Sequence, residues 1–362
     1  MRRTMLVREP VKSATHAASS NVFSSVKLSR LQEYKDERVK EIYLMLDSAE
    51  VSNASQGDMT DKLLTAVSDV KLVCQGILEI DGFSGTELGY ANRICEGAES
   101  WFDYNFRGVN NDGTSGDFMI PLFRASDSLS QKDGFPAAAL ADGTFSMTTG
   151  ADADALVDGS TNTSFSGTWR LLFVTEKASN ITLCPPYILK RQSIGESATY
   201  QYPHNRREIT TCAGAYNADG FTLSQEDEIT VDGRLVYERG TQLAQLQDYR
   251  DLSSHLHTVN RLRNQEVADA GATSFSNANV VIYRPETRQG DALQGELAVT
   301  PGAARTSLYV TRGRMTASVV ELYAQRLKKE IDTTQLEIVG ENNERLAYDP
   351  QAVFPVYSGM KA

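Results

Sequence analysis

The sequence predicts an all-β fold with minor helical content, built as two tandem antiparallel β-sandwiches behind an N-terminal arm and helix. Two observations carry this. A strand-turn-strand segment near residue 72 returns about 155 residues later in the same order, a spacing that matches the length of one domain. The remainder offers many short apolar runs, long polar loops and few convincing helices, which favours sandwiches over an alternating α/β fold. A chain of 362 residues that is 41% hydrophobic is large enough for two cores.

In the repeat, Leu72 to Ile80 followed by Asp81 to Leu88 corresponds to Ile229 to Tyr237 followed by Glu238 to Leu243, with two residues inserted in the first copy. Gly76 aligns with Gly233, Leu78 with Leu235, Gly85 with Gly240, Thr86 with Thr241 and Leu88 with Leu243. Each copy reads as a strand, a one-glycine turn, a second strand and a Gly-Thr-x-Leu exit. Glycine suits the turn because a hairpin demands positive φ there.

Residues 1–37 read as a flexible basic arm, rich in Ser and Ala to about residue 23, then an amphipathic helix from Ser24 or Ser25 carrying Leu28, Leu31 and Tyr34. The first sandwich is placed at 38–175. Its opening strand sets Ile42, Leu44 and Leu46 on one face and Tyr43 and Met45 on the other. A short helix capped by Thr60 carries Leu63, Leu64, Val67 and Val70. Strands at Phe118 to Phe123 and Thr168 to Val174 follow, separated by loops such as Gly108 to Gly116 and Gly143 to Gly159. Residues 176–197 read as a linker, because adjacent Pro185 and Pro186 cannot sit in a sheet interior. The second sandwich, 198–334, offers strands near 207–216, 227–237, 278–284 and 306–311. Residues 317–331 fit either strand or helix, since Val320, Tyr323, Leu327 and Ile331 also have helical spacing. Residues 335–362 form a tail able to reach a neighbouring subunit.

Catalytic signatures are absent from the sequence: no phosphate loop, no G-x-G-x-x-G turn and no H-E-x-x-H. Gly82-Phe-Ser84-Gly85-Thr86 lacks the second glycine of a nucleophile elbow. His16, His204, His255 and His257 are the four histidines; the last two are read as structural or surface residues rather than metal ligands. Cys74, Cys95, Cys184 and Cys212 lie far apart and form neither a zinc pattern nor a disulfide framework. Asp152, Asp154 and Asp158 gather hard oxygen ligands suited to Ca²⁺, but they depart from the EF-hand spacing and read as a solvated loop. Asn53, Asn162 and Asn180 match the glycosylation pattern, which has no meaning without a secretory signal. No cofactor and no enzymatic activity are expected.

The formal charge of −11 conceals an asymmetry. Arg2, Arg3, Arg8, Lys12, Lys27 and Arg30 face only Glu9 in the first 30 residues, giving about +5 there and about −16 over the rest. The acidic body should repel nucleic acid and anionic membrane, whereas the arm would attract either. No run approaches the eighteen or so apolar residues of a membrane span, and a soluble protein made in the cytoplasm is expected.

The Gly76/Gly233 and Gly85-Thr86/Gly240-Thr241 repeat, the short helix before the repeat strand and the Pro185-Pro186 linker resemble the double jelly-roll major capsid proteins of tail-less, often membrane-containing icosahedral viruses and bacteriophages. The resemblance spans roughly residues 38–334 and is one of organisation. It implies two jelly rolls, homotrimeric pseudo-hexagonal capsomers tiling an icosahedral shell, and an arm turned toward an internal membrane or the genome. It also implies self-assembly, contacts with minor capsid proteins, and a virion protein made in the host cytoplasm. A carbohydrate-binding or adhesion protein built from tandem sandwiches, or a tailed-phage tube or baseplate component, are the alternatives. A β-rich hydrolase with paired carboxylates is a further class. The pair Trp101 and Trp169 is thin material for a sugar platform.

Overall fold

The structure is a computed structural model and describes residues 5–52, 62–96, 116–124, 134–152, 164–177, 182–203, 208–216, 228–231, 234–237, 297–300, 304–313, 317–328, 337–339, 345–347 and 359–361. The chain divides into two compact units, one of Met1–Gly89, Phe102–Tyr187 and Arg314–Ala362, the other of Tyr90–Trp101 and Ile188–Gly313.

In the first unit the strands are β1 (Met5–Arg8), β2 (Ala14–Thr15), β3 (Asn21–Lys27), β4 (Glu37–Ser52), β5 (Val67–Cys74), β6 (Leu78–Phe83), β7 (Gly116–Arg124), β8 (Phe135–Pro136), β9 (Thr144–Thr149), β10 (Ser164–Lys177) and β11 (Thr182–Leu183). One sheet runs β1-β10-β4-β7, with β2 added on β10 and β8 on β4; the other runs β3-β9-β5-β6. Setting aside the two-residue strands, the first sheet joins strands one, eight, three and six of the chain order, and the second joins two, seven, four and five. That double Greek key is a jelly roll.

The second unit holds β12 (Tyr187–Ile194), whose first residue belongs to the other unit, then β13 (Tyr200–Gln201), β14 (Glu208–Tyr216), β15 (Glu228–Val231), β16 (Arg234–Tyr237), β17 (Leu297–Thr300) and β18 (Arg305–Gly313). Its strands run β14-β18-β12 and β13-β17-β15-β16. Among the described residues these seven strands, numbered in chain order with the short β13 counted, pair three-seven-one and two-six-four-five, the first roll's arrangement with its sixth strand left out. The fold is therefore all-β, a jelly roll laid down twice along the chain.

Strand formation follows burial on alternate positions. On β4, Ile42, Leu44 and Leu46 are fully buried, as are Trp169 and Phe173 on β10 and Phe118 and Ile120 on β7. The facing sheet contributes Phe23, Val70, Leu72, Leu78, Ile80, Phe145 and Met147. Each such side chain contributes about 1.5–3 kcal/mol relative to exposure. Pro121 lies in β7, the strand at the end of its sheet, where a missing N–H is tolerated. In the second unit Tyr202 is buried with its hydroxyl 2.5 Å from Ser307 Oγ, and the rings of Tyr200, Tyr202 and Tyr309 pack together.

Several expectations are corrected. The stretch read as arm and helix supplies the first roll's opening strands, and the expected helix is a 3-10 helix over Ser29–Tyr34 that buries Leu31. Ser25 has φ of 50°, which breaks helical continuity. The helix expected to reach Val70 is a 3-10 helix over Lys62–Ala66, and the β-branched Val67 and Val70 join β5 instead. Within the supposed loop 143–159, Thr144–Thr149 is β9, because Phe145, Met147 and Thr149 alternate into the core. The supposed linker 176–197 contains the end of β10, all of β11 and all of β12; Pro185 and Pro186 fall between β11 and β12. Residues 317–327 are helical and lie in the first unit. The helix α1 (Gly85–Glu96) follows β6, and this later one is α2 (Ala317–Leu327). Part of the expected tail forms β19 (Glu337–Val339), β20 (Arg345–Ala347) and β21 (Gly359–Lys361); β21 pairs β11 of its own chain. The strand expected at 278–284 lies outside the described residues.

Candidate functional site

The basic residues singled out in the N-terminal segment divide by environment. Lys12, Lys27 and Arg30 are exposed, whereas Arg2 and Arg3 lie outside the described residues. Arg8 is not a free charge. As the last residue of β1 it meets Glu37, the first residue of β4, with Nε donating to Oε2 at 3.0 Å and an Nη donating to Oε1. Its guanidinium also lies 4.5 Å from the centre of the Tyr34 ring.

Glu37 is buried and accepts a further hydrogen bond from Thr175 Oγ1 at 2.6 Å. Hydrogen bonds from Arg8 hold its carboxyl below the usual carboxylate range, burial opposes the shift, and Thr175 and Lys177 reinforce it. The same pairing raises the Arg8 guanidinium above its ordinary value, against desolvation.

A second pair crosses the same sheet one position on. Arg38 and Glu176 are both buried, with Nη2 donating to Oε2 at 3.0 Å, and the two residues are register partners on β4 and β10. A third group centres on Arg170, which donates to Glu9 and to Asp47, each at 2.8 Å. Carboxylates and guanidiniums thus join β1, β4 and β10, and the fixed geometry is that of a structural clasp. Sequence reasoning missed Glu37, Arg38, Thr175 and Glu176. Partners separated by 138 positions leave no local signal.

The turn glycines behave as backbone devices where they are described. Gly76 has φ of 78° between β5 and β6, and its N–H donates to Glu79 Oε1 at 2.6 Å. Gly85 follows Ser84, whose Oγ accepts from the Glu87 N–H while the Glu87 carboxylate accepts from the Ser84 N–H. This capping box starts α1. Ser84 is therefore a helix cap in a place that resembles a nucleophile elbow in sequence. Gly233 and Gly240 lie outside the described residues, as do Asp154, Asp158, His204, His255, His257 and Trp101.

Asp152, the described member of the acidic loop, accepts from His16 Nε2 at 2.9 Å. Among the described residues no three His, Cys, Asp or Glu side chains gather closely enough to hold a metal ion. No helix among them is long and apolar enough to cross a membrane. Cys74 and Cys184 are buried and form no disulfide.

No protein-family description matches the chain, and no curated protein matches it. Solved structures do align along most of its length. The atomic structure of Sulfolobus turreted icosahedral virus aligns at 14% identity over 90% of this chain and 97% of that one, with a TM-score of 0.47. The crystal structure of that virus's MCP aligns at 13% identity, over 85% and 96%, with a TM-score of 0.45. The quasi-atomic model of the PBCV-1 virus capsid aligns at 10% identity, over 87% and 96%, with a TM-score of 0.45.

Proposed function

We propose that this chain is a major capsid protein, a structural rather than catalytic component of an icosahedral virion that assembles as a homotrimer. The supporting observation is the jelly-roll strand order repeated within one chain. Three copies of a doubled unit supply six similar elements, the number needed to occupy a hexagonal lattice position under closed three-fold symmetry. The side chains gathered in the first roll also favour this reading. Titratable groups there meet in pairs such as Arg8 with Glu37 and Arg38 with Glu176, which hold strands together as a structural role requires.

The acidic body keeps a subunit soluble and away from nucleic acid before assembly. Exposed Lys12, Lys27 and Arg30, with Arg2 and Arg3, provide positive charge for an internal membrane or genome. Neighbouring capsomers and minor capsid proteins are its further partners, and synthesis takes place in the host cytoplasm.

Native mass by light scattering, followed by negative-stain imaging of the same peak, tests the reading. The expected result is a particle of three chains with a hexagonal outline. A clean monomer, or a stacked six-fold ring of the kind a tail tube forms, overturns it.

A further inference from the structure

The first strand of the first roll is attached differently from the others. Among the described residues β1, four residues long, pairs β10 alone, from Met5↔Glu176 to Arg8↔Phe173. Its apolar side chains add little burial: Met5 is 47% exposed and Val7 63% exposed, and Leu6 is half-buried. β4, on the other side of β10, buries Ile42, Leu44 and Leu46 completely. Carboxylates supply what the hydrophobic effect does not. Glu37 grips Arg8 at the end of β1. Glu9, the next residue, pairs with Arg170 at 2.8 Å, and its carbonyl accepts from Arg30 at 3.3 Å.

We propose that Met5–Arg8 is an acid-released strap, a strand whose hold on the edge of β10 depends on ionised Glu37 and that detaches while the rest of the roll stays folded. Glu37 is the control point because its carboxylate is buried, whereas the Glu9–Arg170 pair is more than a third exposed and screened by solvent. The groups facing Glu37 are Arg8 from β1 and Thr175 and Lys177 from β10, with the Tyr34 hydroxyl beyond Arg8 and the Arg38–Glu176 pair beside it. Protonating Glu37 removes its attraction for Arg8 and leaves a guanidinium with one fewer anionic partner.

The sign follows from the folded carboxyl lying below its unfolded value. The attachment is complete above the unfolded carboxylate pKa and is lost as pH falls through the depressed folded value. Release uncovers the backbone N–H and C=O groups that Phe173 to Glu176 turn toward β1, a bare sheet edge able to accept an extended strand. Local opening of a poorly buried edge is a low-energy event compared with global unfolding.

Hydrogen exchange followed by mass spectrometry at neutral pH tests this with Glu37→Gln, which keeps the shape and removes the charge. Exchange over Met5–Arg8 is expected to accelerate about tenfold, while Leu72 on β5 and Phe145 on β9 keep their protection. Arg8→Gln is the second variant and should give the same pattern. In acid, where Glu37 is itself protonated, the difference between wild type and Glu37→Gln should vanish. Unchanged exchange over β1 in both variants overturns the strap, as does equal acceleration in both sheets. A difference that persists in acid overturns the control by Glu37.

Discussion

The indole N–H of Trp169 donates to Nδ1 of His16 at 3.0 Å, which places the His16 hydrogen on Nε2, the atom that meets Asp152 at 2.9 Å. Trp169 is fully buried and the His16 side chain is 2% exposed. The relay ties β10 to the segment between β2 and β3 and to the residue chain that leaves β9. Backbone bonds run alongside it, from His16 N–H to Gly167 O and from Ser19 N–H to Gly150 O.

Replacing His16 by Ala strands a buried indole N–H and is expected to cost about 1–3 kcal/mol. Urea denaturation reads the loss. A cycle that adds Trp169→Phe should show coupling, because with the donor gone the missing acceptor matters less. Strict additivity of the two single changes would mean that the hydrogen bond contributes nothing.

The buried Arg38–Glu176 pair should respond asymmetrically. Glu176→Gln alone leaves a buried guanidinium short of its counter-charge and is expected to cost about 3 kcal/mol. The double change Arg38→Met with Glu176→Leu should recover most of that, since neither charge is then buried. Melting temperatures of the three variants check the order.

The two described turn glycines should differ in tolerance. A Cβ at Gly85 would lie 2.2 Å from the backbone oxygen of Leu64, which cannot move aside cheaply. A Cβ at Gly76 would meet the end of the Leu322 side chain at 2.8 Å, which can shift, leaving the left-handed backbone at φ of 78° as the main cost. Gly76→Ala is therefore expected to cost about 1–2 kcal/mol. Gly85→Ala should lower the thermal midpoint much further, and equal losses would contradict the distinction.

Burial pushes the Cys74 thiol up to about 11, with Arg326 opposing and Asp142 and Glu79 assisting. The unfolded thiol ionises first on the alkaline side, so this group's contribution to stability falls as pH rises from about 8.5 toward the folded value. At neutral pH the native thiol should resist iodoacetamide and react only on unfolding. Alkylation at the same rate with and without denaturant would refute this.

Much of the roll was legible in local pattern. Alternation marked Ile42, Leu44 and Leu46, and β-branched and aromatic density marked Thr168 to Val174, because a strand buried on one face repeats every two residues. The repeated segment falls on β5 and β6 in one roll and on β15 and β16 in the other, the fourth and fifth strands of each. The first strands were not legible. Met5–Arg8 is too short to show a period, and Arg8 resembles a residue of a free basic arm until Glu37 is seen opposite it.

Residue types and their spacing by themselves determined an all-β chain with a doubled organisation, since hydrophobic period and turn chemistry are local properties. Which strand lies beside which, and whether a charge is free or clasped, was decided only in the tertiary structure. The partners of Arg8, Arg38 and Trp169 lie 29, 138 and 153 positions away. Pairing over such distances is selected by burial and register across a sheet, for which neighbouring residues carry no signal.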